Sequence, residues 1–115
     1  MRLQSHIVVA GYIRQVETQG ASAMLVRRGE ASAGAIYIKV SRLDGTALVY
    51  SPAPFVGESQ AGGRAWYSEF GDAPQGERDV DAFLSGQARV DEDIWVIEVE
   101  DREGRHFLGD QLTDL

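Results

Sequence analysis

The segment from Asp91 to Phe107, DEDIWVIEVEDREGRHF, carries the densest set of side chains that can do chemistry. Carboxylates precede and follow its alternating apolar run, and Glu98, Glu100 and Asp101 stand at the end of that run. Clustered carboxylates can bind a cation, shift one another's pKa, or dock a basic partner. They are equally typical of the solvated edge of a sheet, and the sequence leaves these interpretations open.

Two of these carboxylates have a spacing that suits acid–base chemistry. Glu98 and Glu100 are two residues apart on a predicted strand, so their side chains share one face at about 7 Å. That separation is compatible with a general acid–base pair, including the pair of a glycosidase. Every solvent-facing strand edge shows the same spacing, however, and the solvated edge is the favoured interpretation.

A basic set lies in the first half of the chain, at Arg27, Arg28, Lys39 and Arg42. If the strands that carry these residues pair, the set can hold an anion or an acidic peptide. Alternatively, these basic residues lie on a solvated sheet face or form ion pairs with the acidic half of the chain. A cleft that holds lysine or histidine beside the carboxylates would indicate an enzyme or a ligand-binding protein. The candidate binding residues are therefore Arg27, Arg28, Lys39, Arg42, Trp95, Glu98, Glu100, Asp101 and His106.

Composition and spacing exclude several classes of site. The chain has no cysteine, which excludes disulfides, thiolate nucleophiles and cysteine-ligated zinc. Its two histidines, His6 and His106, form neither an HExxH motif nor an i,i+4 pair, so no spacing indicates zinc. A GxSxG nucleophile turn and a phosphate-binding glycine loop are also missing. We predict no catalytic residues, no metal and no cofactor.

The net charge of −7 is unevenly distributed along the 115 residues. Residues 1–68 carry seven basic and four acidic side chains, a balance of +3, whereas residues 69–115 carry four basic and fourteen acidic ones, a balance of −10. The tryptophans Trp66 and Trp95 lie in the acidic half or at its border, where a nucleic-acid groove would need basic surroundings. Nucleic-acid binding is therefore not expected, whereas docking to a basic protein partner or head-to-tail self-association is compatible with this distribution.

Two segments show the period of amphipathic helices. Apolar residues recur at i, i+3, i+4 and i+7 from Val9 to Val16, which predicts a helix over about residues 6–19 with Ser5 as its N-cap. A second helix is predicted over about residues 77–89. Between and after them the period is two, which predicts strands near residues 23–28, 35–41, 46–50, 64–70 and 94–100, with a short final one at 105–107.

The dipeptide Asp44-Gly45 is the strongest turn signal in the chain. A two-residue type I′ turn there links two of the predicted strands into a hairpin. Counting back from such a turn pairs Val40 with Val49 and Lys39 with Tyr50.

Together these elements predict a single α+β domain over residues 1–115, with a mostly antiparallel sheet of about five strands and two helices. The proline- and glycine-rich residues 51–63 are expected to form a flexible loop, and the tail near 109–115 is expected to fray. The N-terminal apolar run ends at Arg14 and is too short for a signal peptide or a membrane span. We therefore expect a soluble cytoplasmic protein without membrane association.

Two stretches carry a resemblance to a known family: GAIYIKVSRLDGTALVYSPAP at residues 34–54 and DIWVIEVEDREGRHFL at residues 93–108. The chain resembles domain-of-unknown-function family 1491, a group of short, mostly alphaproteobacterial proteins. The similarity runs over nearly the whole chain and is weakest at residues 54–70. It implies a small stand-alone bacterial protein without an established activity, and it carries over no catalytic or binding residues.

Two functions from different classes remain. The first, which is favoured, is a non-catalytic module that binds a protein partner or assembles with itself through exposed strand edges. The second is a small enzyme or an anion- or metabolite-binding protein that uses Glu98, Glu100 and Asp101 with Lys39 and the arginines. An apolar patch beside an unpaired strand would favour the first, and a cleft with Lys39 beside Glu98 would favour the second.

Overall fold

The computed structural model describes residues 2–54 and 64–114. Its two helices and six strands, one of which has only two residues, form a single α+β domain, as the sequence predicts. In chain order the elements are α1 (Ser5–Thr18), β1 (Ser22–Arg27), β2 (Ile36–Ser41), β3 (Thr46–Pro52), β4 (Trp66–Ser68), β5 (Gln75–Gly76), α2 (Glu77–Val90) and β6 (Trp95–Glu100).

The strands form one sheet in the order β1-β6-β2-β3-β4, and β5 adds to the first residues of β3. All neighbours are antiparallel except β2 and β6, which run parallel in the centre. The chain leaves β2 through a hairpin and returns to it only after α2. The last strand of the chain is therefore a central one, and β1 is left at the edge of the sheet.

Each face of the sheet is covered by one helix, because alternate residues of a strand point to opposite faces. On one face Ile38 and Ile97 pack in the cluster that contains Val16 of α1. On the other, Val49 and Val96 pack in the cluster that contains Val80 and other residues of α2. Alternate residues of β2 and β6 thus lie in different cores, as expected for strands with a period of two.

The first helix begins one residue earlier than predicted. Ser5 is its first helical residue, and its buried hydroxyl donates a 2.7 Å hydrogen bond to the carbonyl of Gly34. The expectation that Ser5 caps the helix is therefore wrong. Its side chain ties α1 to the loop between β1 and β2, and Gln4 precedes the helix without a side-chain cap.

The hairpin register differs by one residue from the predicted one. Lys39 is opposite Val49 and Ile38 is opposite Tyr50, because the turn holds three residues and Arg42 pairs with Thr46. Leu43 adopts a left-handed φ of 63°, which leucine rarely does and which the sequence did not indicate. Since a slip of one residue reverses the side-chain faces, Lys39 shares the α2 face with Val49 and Tyr50 faces α1.

The expected final strand at 105–107 does not form. The carbonyls of His106 and Phe107 instead accept hydrogen bonds from Tyr12 and Gln15 of α1, at 2.7 and 3.0 Å. Phe107 has a φ of 59°, which is incompatible with a strand. The segment is fixed by the helix rather than by a strand partner.

The structure describes part of each of the two segments that were expected to be mobile. Ser51 and Pro52 belong to β3, and residues 55–63 of the expected loop lie outside the described residues. The tail forms a 3₁₀ turn at Gly109–Gln111, after which Thr113 donates a 2.7 Å backbone hydrogen bond to Trp66. Through residue 113 the tail is thus docked against β4. Within the described ranges, no helix is long and apolar enough to cross a membrane.

Candidate binding groove

A groove runs along the α2 face of the sheet, between the helix and the β1 edge. The helix packs on β2, β3 and β5, so one wall of the groove is α2 and its floor is the β1 end of the sheet. Its volume is about 460 Å³. The apolar lining comes from Val26, Leu84, Ala88 and Val96, and the charged lining from Arg27, Lys39, Asp81 and Glu98.

The centre of the groove is the buried ammonium group of Lys39. Its Nζ lies 2.9 Å from Glu77 and 2.8 Å from Asp81, two carboxylates one turn apart on α2. A third, Glu98, approaches from β6 at 3.6 Å. The parallel register places Lys39 directly opposite Glu98, and α2 lies over the pair. The chain's only lysine is therefore enclosed by three carboxylates.

This arrangement keeps Lys39 protonated. Burial alone would lower the pKa of Lys39, but its hydrogen bonds to Asp81 and Glu77 and the charge of Glu98 outweigh burial and raise the pKa above 10.5. A lysine acts as a nucleophile or a base only when its amine is neutral. At neutral pH this lysine is a fixed cation, which suits a structural or a binding role.

The open side of the groove is formed by β1. Its large apolar side chains Met24 and Val26 are 52% and 55% exposed. A β-bulge between Leu25 and Arg27 interrupts the pairing with β6. Arg27 donates a 2.9 Å hydrogen bond to the carbonyl of Glu92 and lines the groove.

Three of the predicted binding residues lie on the α1 side of the sheet. Trp95 is buried in the core that contains α1, and its indole NH donates a 2.8 Å hydrogen bond to Glu30. The Arg28 guanidinium lies 5.5 Å from the centre of the Trp95 ring. His106 packs edge-on against Tyr50 at 5.3 Å, and burial lowers its pKa. The sheet thus separates these side chains from Lys39.

The remaining predicted residues lie at the end of β2 and β6. Asp101 is buried and accepts two hydrogen bonds from the Arg105 guanidinium, at 2.7 and 3.1 Å. Hydrogen bonding to Arg105 holds the pKa of Asp101 below 3.8. Glu100 is half-buried, and Arg42 packs beside Gly104 of the neighbouring turn. Asp101 is engaged in a local turn and does not contact Lys39.

The structure therefore brings together Arg27, Lys39 and Glu98 out of the nine predicted residues. Glu77 and Asp81 were not among the predicted site residues, although both fall within the predicted second helix. Their i,i+4 spacing, which places both on one face of α2, was the available signal. Across the two described ranges, no group of three or more histidine and carboxylate side chains is arranged to hold a metal ion.

The fold and the groove define a small α+β domain with one central ion cluster and an open sheet edge. The chain belongs to the family described as "Protein of unknown function (DUF1491)", whose sequence model matches residues 3–109. The predicted resemblance is thereby confirmed. A comparison with curated proteins gives no match.

Solved structures of the family have the same fold. A crystal structure of a DUF1491 family protein from Caulobacter crescentus is 41% identical, with a TM-score of 0.79 over 99% of this chain and all of the other. An NMR structure of a family protein from the same organism is 43% identical over 99% of both chains, also at 0.79. A solution structure of a protein from A. tumefaciens is 32% identical over 87% of this chain and 86% of the other, with a TM-score of 0.73.

Proposed function

We propose that the protein is a non-catalytic, cytoplasmic self-assembly module in which two copies pair through their β1 strands. The observation that carries this proposal is the edge position of β1. In the part of the chain that the structure describes, nothing pairs with its outer side. On this strand Met24 and Val26 expose more than half of their side chains, and sheet edges with apolar side chains are templates for strand addition.

A second copy of the chain suits this edge because antiparallel pairing of identical strands is self-complementary about a two-fold axis. Residues 22–25 carry no charge, and the bulge that follows limits regular pairing to this stretch. In a continuous sheet, Met24 and Val26 of both copies would lie on the same face. The Met24 and Val26 side chains of one copy would shield the apolar surface that those of the other copy leave exposed.

The charges at the two ends of β1 are complementary under the same symmetry. Arg27 is the last residue of β1 and Arg28 follows it, whereas Glu100 lies opposite Ser22 at the N-terminal end of the strand. A two-fold axis through the middle of β1 brings the basic end of each copy toward the acidic end of the other. Opposite charges across an interface steer association and fix its register.

The absence of cysteine allows the proposed contact to be tested by disulfide trapping without background. Met24→Cys is expected to form a covalent dimer under mild oxidation, because the two thiols would lie near the two-fold axis. Val90→Cys, at the exposed end of α2, is the matched control and is expected to remain monomeric. The wild-type protein should show a monomer–dimer equilibrium by sedimentation, with a Kd of about 10 µM since the interface is small.

Two results together would overturn the proposal. The wild-type protein would be monomeric at millimolar concentration, and Met24→Cys would cross-link no faster than Val90→Cys. Met24→Lys offers a second measurement. The exposed position tolerates a charge without loss of the fold, so an unchanged Tm with a weakened dimer would support pairing through β1.

Ligand binding in the groove is the second candidate function, and the shared position of Lys39, Glu98 and Arg27 favours it. Since three carboxylates already neutralise Lys39, a ligand would need to offer a cationic group to Glu98 and an anionic group to Arg27. We expect such a zwitterion to raise the Tm of the wild-type protein and to do so less for Glu98→Gln. A panel of amino acids and small metabolites that shifts neither protein would contradict this second function.

A further inference from the structure

A second charged group is buried on the opposite face of the sheet, beside α1. Arg64 is only 7% exposed. One terminal nitrogen donates 3.0 Å hydrogen bonds to the carbonyl of Leu3 and to the hydroxyl of Ser5. Its Nε is buried and has no hydrogen-bond partner among the residues that the structure describes. Within residues 2–54 and 64–114, no carboxylate lies within ion-pair distance of this guanidinium.

The surroundings of Arg64 make this charge more unfavourable. Burial and the nearby positive charge of Arg2 both lower the pKa of the guanidinium. Buried charges in proteins are normally paired, because an uncompensated one loses its hydration without a replacement. The local field is therefore positive, and a bound anion would relieve it.

Arg64 lines a groove of about 390 Å³ between α1, β4 and the docked tail. This volume lies in the range of small-molecule sites. The rest of the lining is mainly apolar and is supplied by Leu3, Ile7, Val8, Tyr12 and Trp66. A buried cation at one point of an apolar groove selects a ligand with one anionic group and a hydrocarbon body.

Gly11 keeps one wall of this groove open. It lies in the middle of α1, where glycine costs about 0.5–1 kcal/mol relative to alanine. A Cβ atom placed on it would meet no atom of the described residues within 4 Å, so their packing against the helix does not require glycine there. A larger side chain at this position would enter the groove, which Gly11 lines.

We propose that the groove beside α1 binds a small carboxylic acid with an apolar tail, with its carboxylate on Arg64 and its tail along Ile7 and Gly11. The guanidinium of Arg64, which lines the groove, supplies a charge-assisted hydrogen bond to the carboxylate. The apolar walls bury the tail, so binding requires both parts of the ligand. This site lies across the sheet from the Lys39 groove and does not depend on self-assembly.

Octanoate is the probe for this site. Acetate, which keeps only the carboxylate, and 1-octanol, which keeps only the apolar tail, are the controls. We expect octanoate to shift the amide signals of Gly11 and Ile7 and the indole signal of Trp66 in a saturable titration. Acetate and 1-octanol should bind about tenfold more weakly or worse. Equal binding of 1-octanol would overturn the role of Arg64, and an absence of saturable shifts with octanoate would overturn the site.

Gly11→Leu tests the location without touching the charge. It fills the groove while it favours the helix, so octanoate binding should fall about tenfold or more with an unchanged or higher Tm. Gly86→Leu, a glycine in the middle of α2, is the matched control and should bind as the wild type does. Binding that persists in Gly11→Leu would overturn the proposal.

A final variant tests whether the chain itself supplies the anion. Glu58 is the only acidic residue of residues 55–63. Under the proposal, Glu58→Gln and the wild type bind octanoate equally. If only Glu58→Gln binds it, Arg64 is neutralised by the chain's own carboxylate and the proposal fails.

Discussion

Gly29→Ala is expected to destabilise the protein by about 3 kcal/mol or more, because overpacking against backbone cannot be relieved by a side-chain rotation. A Cβ atom at this position would clash with the carbonyl oxygen of Asp93 and would lie 2.6 Å from both the carbonyl carbon of Ile94 and Cδ1 of Trp95. Asp93 and Ile94 immediately precede β6, and Trp95 is its first residue. In the sheet, β6 lies between β1 and β2. Relief of the clash therefore requires movement of a central strand.

Equilibrium unfolding by denaturant measures this effect. Gly86→Ala is the control, since glycine in the middle of α2 meets only the end of the Arg89 side chain. We expect it to stabilise the protein by about 0.5–1 kcal/mol through helix propensity. A Gly29→Ala protein within about 1 kcal/mol of the wild type would show that the loop between β1 and β2 relaxes independently of β6.

The glycines of this loop show what the sequence analysis could and could not establish. Gly29 and Gly34 lie in the segment that connects β1 and β2. Glycine is required at both positions because the chain there closely approaches the backbone of Asp93, about sixty residues away in the sequence. Such a contact arises from the order of the strands and leaves no local pattern.

The ion cluster illustrates the same limit. The sequence showed that Lys39 and Glu98 are charged residues between apolar neighbours in two predicted strands. It did not show that β2 and β6 are parallel neighbours, because that pairing depends on where the chain returns after α2. Asp101, by contrast, binds a residue four positions away, and that contact was accessible from the spacing alone.

Which side chains of β2 and β6 lie on each face of the sheet was predictable for a physical reason. Burial on both sides makes β2 and β6 almost continuously apolar, yet the alternation of the larger residues still assigns Ile36 and Trp95 to one core. The hairpin register was not predictable, because a left-handed Leu43 lengthens the turn. Arg64 was also missed, since an isolated arginine after glycines carries no signal of burial.

Lys39→Met is expected to destabilise the protein by about 2 kcal/mol at pH 7. Methionine replaces most of the volume of the lysine stem, so the substitution mainly removes the charge that Glu77, Asp81 and Glu98 share. Loss of one partner of a fully buried ion pair costs about 3–5 kcal/mol. The three carboxylates are between 24% and 60% exposed, so water recovers part of that loss.

The pH dependence of this difference follows from the raised pKa of Lys39. A group whose pKa is higher in the folded state contributes stability below its unfolded value, here 10.5, and loses it as the pH rises through the folded value. The difference between wild type and Lys39→Met should therefore be constant between pH 7 and pH 10 and should narrow at higher pH. Urea unfolding at pH 7, 9 and 11 measures it.

Glu98→Gln is the matched control, because it leaves Lys39 with the two closer carboxylates and is expected to cost less than about 1 kcal/mol. A Lys39→Met protein as stable as the wild type would mean that hydrophobic packing replaces the cluster without loss, as it does in some proteins with buried ion pairs. The cluster would then be present for recognition rather than for stability. That result would favour ligand binding in the Lys39 groove over pairing through β1.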